Sequence, residues 1–207
     1  SRVQHSDNRR PTLKAITLNT FGSSDNFQLA DLPMPEVRPG EVRIRVKAMS
    51  FNPVDYQIRK GQPEGTPAQA MILGRDLSGI VEAVHEDVAG LKVGDPVFSY
   101  VAKRASSGTY AEYVSVPAEL VARKPASLTH EQAAAVPVAG VTALLALKQA
   151  RAGAEKSLFI AGGAGGVGTF AIMLACQLGV SRLITTAGSA KSRAYLIEQC
   201  GLREDQI

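Results

Sequence analysis

The stretch "KSLFIAGGAGGVGTFAIMLACQLG", residues 156–179, limits the architectures open to this chain more than any other. A short apolar run, expected to be a buried strand, leads into a cluster of glycines. A helical stripe of Val167, Ala171, Leu174 and Leu178 follows and ends at Gly179. Strand, glycine turn and helix make one half of a βαβ unit, and "RLITTAG" (182–188) supplies its second strand. Ser189 is then expected to cap a second helix, "AKSRAYLIEQC".

Within the glycine cluster, Gly163, Gly165 and Gly168 fit the G-x-G-x-x-G pattern, and they fit it between a strand and a helix, where the pattern has a mechanism. Gly163 is expected to make the tight turn, Gly165 to let the backbone approach a pyrophosphate, and Gly168 to let helix and strand pack closely. Gly166 and Val167, at the head of the helix, offer N–H groups and the positive dipole end to the phosphates. An acidic residue about 20 positions further on would hold a ribose 2′-hydroxyl and repel a 2′-phosphate. The chain instead reads "TTAGSAKSR", so Gly188, Ser189, Lys191 and Arg193 form a small, cationic strand tip that suits NADPH over NADH. The alternative is that both cations are merely solvated on the first turn of the helix.

Upstream the period changes. In "EVRIRVKAMSF", Val42, Ile44, Val46 and Ala48 alternate with Arg43, Arg45 and Lys47, which is the pattern of a half-buried strand. "GIVEAVHEDV", "DPVFSYV" and "GTYAEYVSVP" add further short strands, giving a small barrel or sandwich. Helical character begins near residue 127, where Thr129 and Gln132 form a capping-box pattern. The fold class is therefore mixed α/β: a β-rich domain over 11–127, then connecting helices and an incomplete Rossmann βαβα unit over 128–207.

With 207 residues the chain can bury a core without staples. Its two cysteines, Cys176 and Cys200, favour a reducing compartment, and no apolar run of about 18 residues offers a membrane span. The net charge of +4 is dispersed, with short basic pieces at Arg9, Arg10, Lys103 and Arg104, so nucleic acid is not the expected partner. A cytoplasmic protein is expected. His5, His85 and His130 do not cluster, and metal or triad roles are not assigned to them. The polar opening "SRVQHSDNRRP" reads as a frayed arm or a remnant of processing.

Four stretches, in this order, carry a family resemblance: "NPVDYQIRKG" (52–61), "GRDLSGIVEAV" (74–84), "GTYAEYVSVP" (108–117), and "AAAVPVAGVTALLAL" leading into "GGAGGVG". The chain resembles the zinc-independent quinone oxidoreductases of the medium-chain dehydrogenase/reductase superfamily. The resemblance implies a GroES-like catalytic domain joined to a Rossmann domain, with hydride passing from NADPH to a quinone or an α,β-unsaturated carbonyl. An enoyl-thioester reductase lies within the same class; a non-catalytic NADPH-binding or interaction protein is the reading from a different class. Zinc-using relatives carry their Cys, His-Glu and Cys ligands where this chain has Asn52, Arg75, Asp76 and Val138, and their structural four-cysteine loop has no counterpart here.

The same resemblance places Asn52 and Thr142 against cofactor or substrate. Asn52 could hydrogen-bond a substrate carbonyl or the cofactor, or be an ordinary turn residue before Pro53. Thr142 could equally pack or bond back along its helix. Tyr56 is a candidate proton donor, set against a structural role; Asp55 and Arg59, four apart, are read as a structural pair. Tyr110 and Tyr113 are assigned to packing. The family continues beyond "GLREDQI" into a third Rossmann strand, so the resemblance implies a fragment of a longer enzyme whose full-length form is a candidate homodimer, one that keeps the phosphate cradle without the half that aims the nicotinamide.

Overall fold

The alternating stretch Glu41–Ser50 forms a strand whose Val42 and Ile44 are fully buried while Arg45 and Lys47 stay in water. The computed structural model describes residues 11–61, 70–101 and 107–207. His5, Arg9, Arg10, Lys103, Arg104 and the opening arm through residue 10 lie outside them. The chain divides into two units, one running to Pro137 and the other from Val138 to Ile207.

The first unit contains β1 (Thr12–Leu18), β2 (Phe27–Pro33), β3 (Glu41–Ser50), α1 (Pro53–Arg59), β4 (Met71–Ile72), β5 (Asp76–Val84), β6 (Pro96–Tyr100), β7 (Tyr113–Pro117), β8 (Val121–Arg123) and α2 (His130–Ala134). Its strands form two antiparallel sheets, β2-β1-β4 and β7-β3-β5-β6-β8. Residues 110–112 join them: Ile16 N–H donates to the Tyr110 carbonyl at 2.8 Å, and Val46 N–H to that of Glu112 at 2.9 Å. The inward faces of the larger sheet pack Val42, Ile44, Leu77, Val81, Val97 and Val114 into one core. Each such side chain contributes about 1.5–3 kcal/mol by leaving water.

The division between units falls later than residue 127. Thr129 Oγ1 accepts the Gln132 N–H at 3.2 Å and Gln132 Oε1 accepts the Thr129 N–H at 2.9 Å, so the expected capping box starts α2. However, α2 packs on β3, β5 and β6, burying Ala133 and Ala134 there, and so belongs with the β-rich unit. Ser78 Oγ donates to the Val97 carbonyl at 2.9 Å and is therefore left to accept from His130 Nδ1, 2.8 Å away. Burial, reinforced by the charges of Lys124 and Lys47 and opposed by Glu131, holds the His130 imidazole below its ordinary pKa. The folded state thus favours neutral His130. Its contribution is complete above about pH 6.5 and is lost as pH falls through the lowered folded value. Urea midpoints measured from about pH 7.5 to about pH 5 should decline less steeply in His130→Gln than in the wild type.

The second unit contains α3 (Pro137–Gln149), which starts at the division, then β9 (Ser157–Ile160), α4 (Gly166–Gln177), β10 (Arg182–Thr185) and α5 (Ala190–Glu198). β9 and β10 are parallel in the register Ser157↔Arg182 to Ile160↔Thr185, and Ser189 caps α5 by accepting the Ser192 N–H at 3.1 Å. Two expectations fail here. The buried face of α4 is Gly168, Ala171, Ile172 and Ala175, whereas Val167 and Leu178 of the expected stripe are 40% and 46% exposed. The helix is rotated because Gly168 must face the turn it packs against. β9 is also not buried on both sides. Leu158 and Ile160 join the core around Ile172, Leu183 and Leu196, and Phe159, on the alternate face, is 66% exposed.

Candidate functional site

The glycine segment forms a turn fastened to the far end of β10. Gly162 N–H donates to Thr186 Oγ1 at 2.9 Å and Gly163 N–H to the Thr186 carbonyl at 3.2 Å. The residue with positive φ is Gly162 (+70°), so the left-handed step expected of Gly163 is made one position earlier. Gly163 is required for space: a Cβ there would stand 2.2 Å from Thr185 Oγ1 and 2.8 Å from Ile172 Cδ1. Gly168 is required more strictly, because its Cβ would meet the Gly162 carbonyl oxygen at 2.3 Å and Gly163 Cα at 2.8 Å. Close packing of helix on turn is thus what Gly168 provides.

The same packing sets out the donors. Gly165, in extended conformation, is the N-cap of α4, and its carbonyl accepts the first helical bond from Thr169 N–H at 2.8 Å. The N–H groups of Gly166, Val167 and Gly168 lie ahead of that bond, at the positive end of the helix, and residues 165–167 are exposed. A Cβ at Gly166 would lie 3.9 Å from Ala139 Cβ, which brings the first turn of α3 beside the loop. Thr142, three residues on from Ala139, is exposed. Thr185 and Thr186 were not singled out from the sequence; two threonines ending a strand carry no signal until the turn that leans on them is seen.

At the strand tip, Gly188, Ser189 and Lys191 are exposed, and Arg193 is not at large. Its guanidinium donates to the Ile207 carbonyl at 3.0 Å and the Glu204 carbonyl at 3.2 Å, with the Glu204 carboxylate at 3.6 Å. Arg193 therefore ties α5 to the turn at 204–206, and Lys191 is the cation left at the tip.

In the first unit, Asn52 is the N-cap of α1 and only 8% exposed, so it is no ordinary turn residue. Its Nδ2 donates to Asp76 Oδ2 at 2.9 Å and Ser50 Oγ at 3.2 Å, while Ser50 Oγ donates to the same Asp76 oxygen at 2.6 Å. Asp55, 1% exposed, does not pair with Arg59. Its carboxylate accepts the Asn52 N–H at 2.9 Å and the Gly74 N–H at 3.2 Å, and Arg59 donates to the Gly22 carbonyl instead. Gly74 has φ +98° and a Cβ there would stand 2.2 Å from Thr109 Oγ1, so residue 74 must be glycine for its N–H to reach Asp55. A cavity of about 250 Å³ adjoins this group, lined by Asp55, Ile58, Gly74, Arg75 and Ser107. Tyr56 is exposed, stacked on exposed Phe51 at 6.3 Å with Lys60 Nζ 5.4 Å above its ring.

Residues 38–126 match the family described as the alcohol dehydrogenase GroES-like domain. The chain is 35% identical over 187 residues to the 2-methylene-furan-3-one reductase of Solanum lycopersicum, covering 86% of this chain and 48% of the relative. It is equally 35% identical to the chloroplastic NADPH-dependent alkenal/one oxidoreductase of Arabidopsis thaliana, over the same shares. Among solved structures, the quinone oxidoreductase of Coxiella burnetii superposes with a TM-score of 0.79 at 37% identity, covering 90% of this chain and 59% of that one. The chain belongs to the medium-chain dehydrogenase/reductase superfamily. It spans about half the length of the curated relatives it matches.

In this superfamily member, two of the positions compared above with zinc ligands, Asn52 and Asp76, hydrogen-bond each other. Among the described residues no group of three or more His, Cys, Asp or Glu side chains is arranged to hold a metal ion. Tyr110 is more than packing. Its ring meets Phe27 edge-on at 6.3 Å, and burial, followed by the Asp55 charge, pushes its phenol far above the ordinary tyrosine pKa. Its hydroxyl is buried without a hydrogen-bond partner among the described residues, a feature the alternation around it does not signal. Among the described residues no helix is long and apolar enough to cross a membrane.

Proposed function

We propose that this chain forms part of an NADPH-dependent, zinc-free oxidoreductase that passes hydride to a quinone or an α,β-unsaturated carbonyl. The observation that carries the reading is the turn at Gly162–Gly168, held open by Thr185 and Thr186 with three helix N–H groups ahead of the first helical bond. Relatives named as an NADPH-dependent alkenal/one oxidoreductase and a quinone oxidoreductase support the chemistry. A bound nicotinamide dinucleotide supplies the hydride. The chain's own residues bind and orient: the N–H groups of Gly166, Val167 and Gly168 hold pyrophosphate, Gly188, Ser189 and Lys191 hold the ribose phosphate, and Thr142 lies beside the loop through α3. Tyr56 is the candidate proton donor, and Asn52 contacts cofactor or substrate. Two free cysteines support a reducing compartment, and we assign the cytoplasm.

The test follows NADPH absorbance with a quinone and with an enone, using this chain and a version extended to the length of its relatives. Turnover of either acceptor supports the reading. Tight NADPH binding without turnover in both chains would replace it with a non-catalytic NADPH-binding protein, and preference for an enoyl thioester would reassign the acceptor. For cofactor choice, Lys191→Ala should weaken NADPH about tenfold and leave NADH unchanged. Arg193→Ala should leave that preference intact and lower unfolding stability by about 1 kcal/mol, because Arg193 serves the 204–206 turn.

A further inference from the structure

Three hydrogens matter around Asn52, the two on its Nδ2 and the one on Ser50 Oγ. The Ser50 hydroxyl has one proton and gives it to Asp76 Oδ2 at 2.6 Å. Ser50 Oγ is therefore an acceptor toward Asn52, and the two Nδ2 protons of Asn52 go to Ser50 Oγ and Asp76 Oδ2, at 3.2 and 2.9 Å. The opposite rotamer would set the Asn52 oxygen against a carboxylate oxygen and an acceptor hydroxyl with no proton between them, so the orientation of the amide is decided by its surroundings. Asp76 is 1% exposed and Ser50 is part of a strand paired to it, Ser50 opposite Asp76, so neither partner is free to turn away. Both donors of Asn52 are consumed. What remains is Oδ1, which takes part in the capping box with the Asp55 backbone at the head of α1 and keeps a second lone pair for a ligand.

We propose that Asp76 is a positioning residue that, with Ser50, locks the Asn52 carboxamide with its NH₂ inward, so that Asn52 offers a ligand an acceptor and selects a hydrogen-bond donor, amide N–H or hydroxyl. A substrate carbonyl, itself an acceptor, is refused at this atom. The same lock replaces the expectation that Asn52 polarises a carbonyl, and it leaves that role to another group. The orientation stands on the first unit alone; the ligand's identity rests on the NADPH-oxidoreductase reading above.

Two measurements test it, the NMR one on the 207-residue chain and the binding one on the version extended to the length of its relatives. In ¹⁵N-resolved NMR, both Asn52 Nδ2 protons should exchange slowly with solvent, and Asp76→Asn should speed that exchange by at least about tenfold. Exchange in the wild type at the rate of an exposed asparagine overturns the lock. In binding, NADPH is compared with its acetylpyridine analogue, whose carboxamide NH₂ is replaced by a methyl group, and an allylic alcohol with its enone. The donor-bearing member of at least one pair should bind about tenfold more tightly, the first pair marking an amide source and the second a hydroxyl. That ratio should approach one in Asp76→Asn, and shrink in Ser50→Ala, a milder change that serves where the first variant fails to fold. Equal affinities within both pairs, or a ratio unaltered in the variants, overturns donor selection. Loss of the function reading is seen separately, as the absence of NADPH-induced shifts at the amides of Gly163–Gly168.

Discussion

Valine at position 168 should abolish NADPH binding, with affinity falling at least about a hundredfold in a fluorescence titration. A Cβ at this position would stand 2.3 Å from the Gly162 carbonyl oxygen, 2.8 Å from Gly163 Cα and 2.9 Å from the Gly163 carbonyl oxygen. All three are backbone atoms, so no rotamer change relieves the contact. Either α4 withdraws from the turn or the turn opens, and both movements carry the Gly166–Gly168 N–H groups away from the place where they converge. Overpacking of this kind costs about 1–3 kcal/mol, and the melting temperature should fall with it. Gly153→Ala is the matched control, since a Cβ there meets nothing within 4 Å. Undiminished NADPH affinity in Gly168→Val would mean that the cofactor does not use this turn.

Leucine in place of Asp55 should lower unfolding stability by about 2–6 kcal/mol, from about 1–3 for each of the two buried N–H groups it strands. Those donors are the backbone of Asn52 and of Gly74, at 2.9 and 3.2 Å. One carboxylate therefore joins the start of α1 to the chain entering β5, and Asp55 and Gly74 line the same cavity. Asp55→Asn keeps the shape and one acceptor oxygen, and should recover at least about half of the loss. Urea unfolding read by circular dichroism measures both. Equal stability in Asp55→Leu and the wild type would show that water satisfies the two donors.

Much of the fold was legible because its signals are local. The alternation of Val42 and Ile44 with Arg43 and Arg45 needs no knowledge of the neighbouring strands to announce a buried face, and Thr129 with Gln132 carries its own helix start. The glycine turn was legible for a different reason: the strand before it and the helix after it are each readable, and they leave the glycines one place to be. What failed depended on partners distant in sequence. The rotation of α4 by one position is decided by the contact of Gly168 with Gly162 and Gly163, and the exposure of Phe159 by which face of a two-stranded sheet is covered. Arg193 looked available for a phosphate because the turn at 204–206 that takes it has no motif.

The site was less legible than the fold. Asp55 and Arg59 have the spacing of a helical ion pair, yet Asp55 sits in the first turn, where backbone N–H groups compete for it, and they win. Asn52 was singled out from the sequence with its chemistry left open. Only Asp76 and Ser50, brought alongside by the pairing of β3 with β5, decide which end of its amide is offered.

The attachment of the glycine turn to Thr186, 24 residues from Gly162, has a kinetic meaning. A peptide spanning 157–179 contains every glycine of the motif and lacks the strand that shapes it, so it should not bind a dinucleotide at all. Phosphate affinity is then a late product of folding, acquired when β10 docks beside β9. Ligand would in turn hold β10 in place, raising the melting temperature of the second unit in proportion to the logarithm of its concentration.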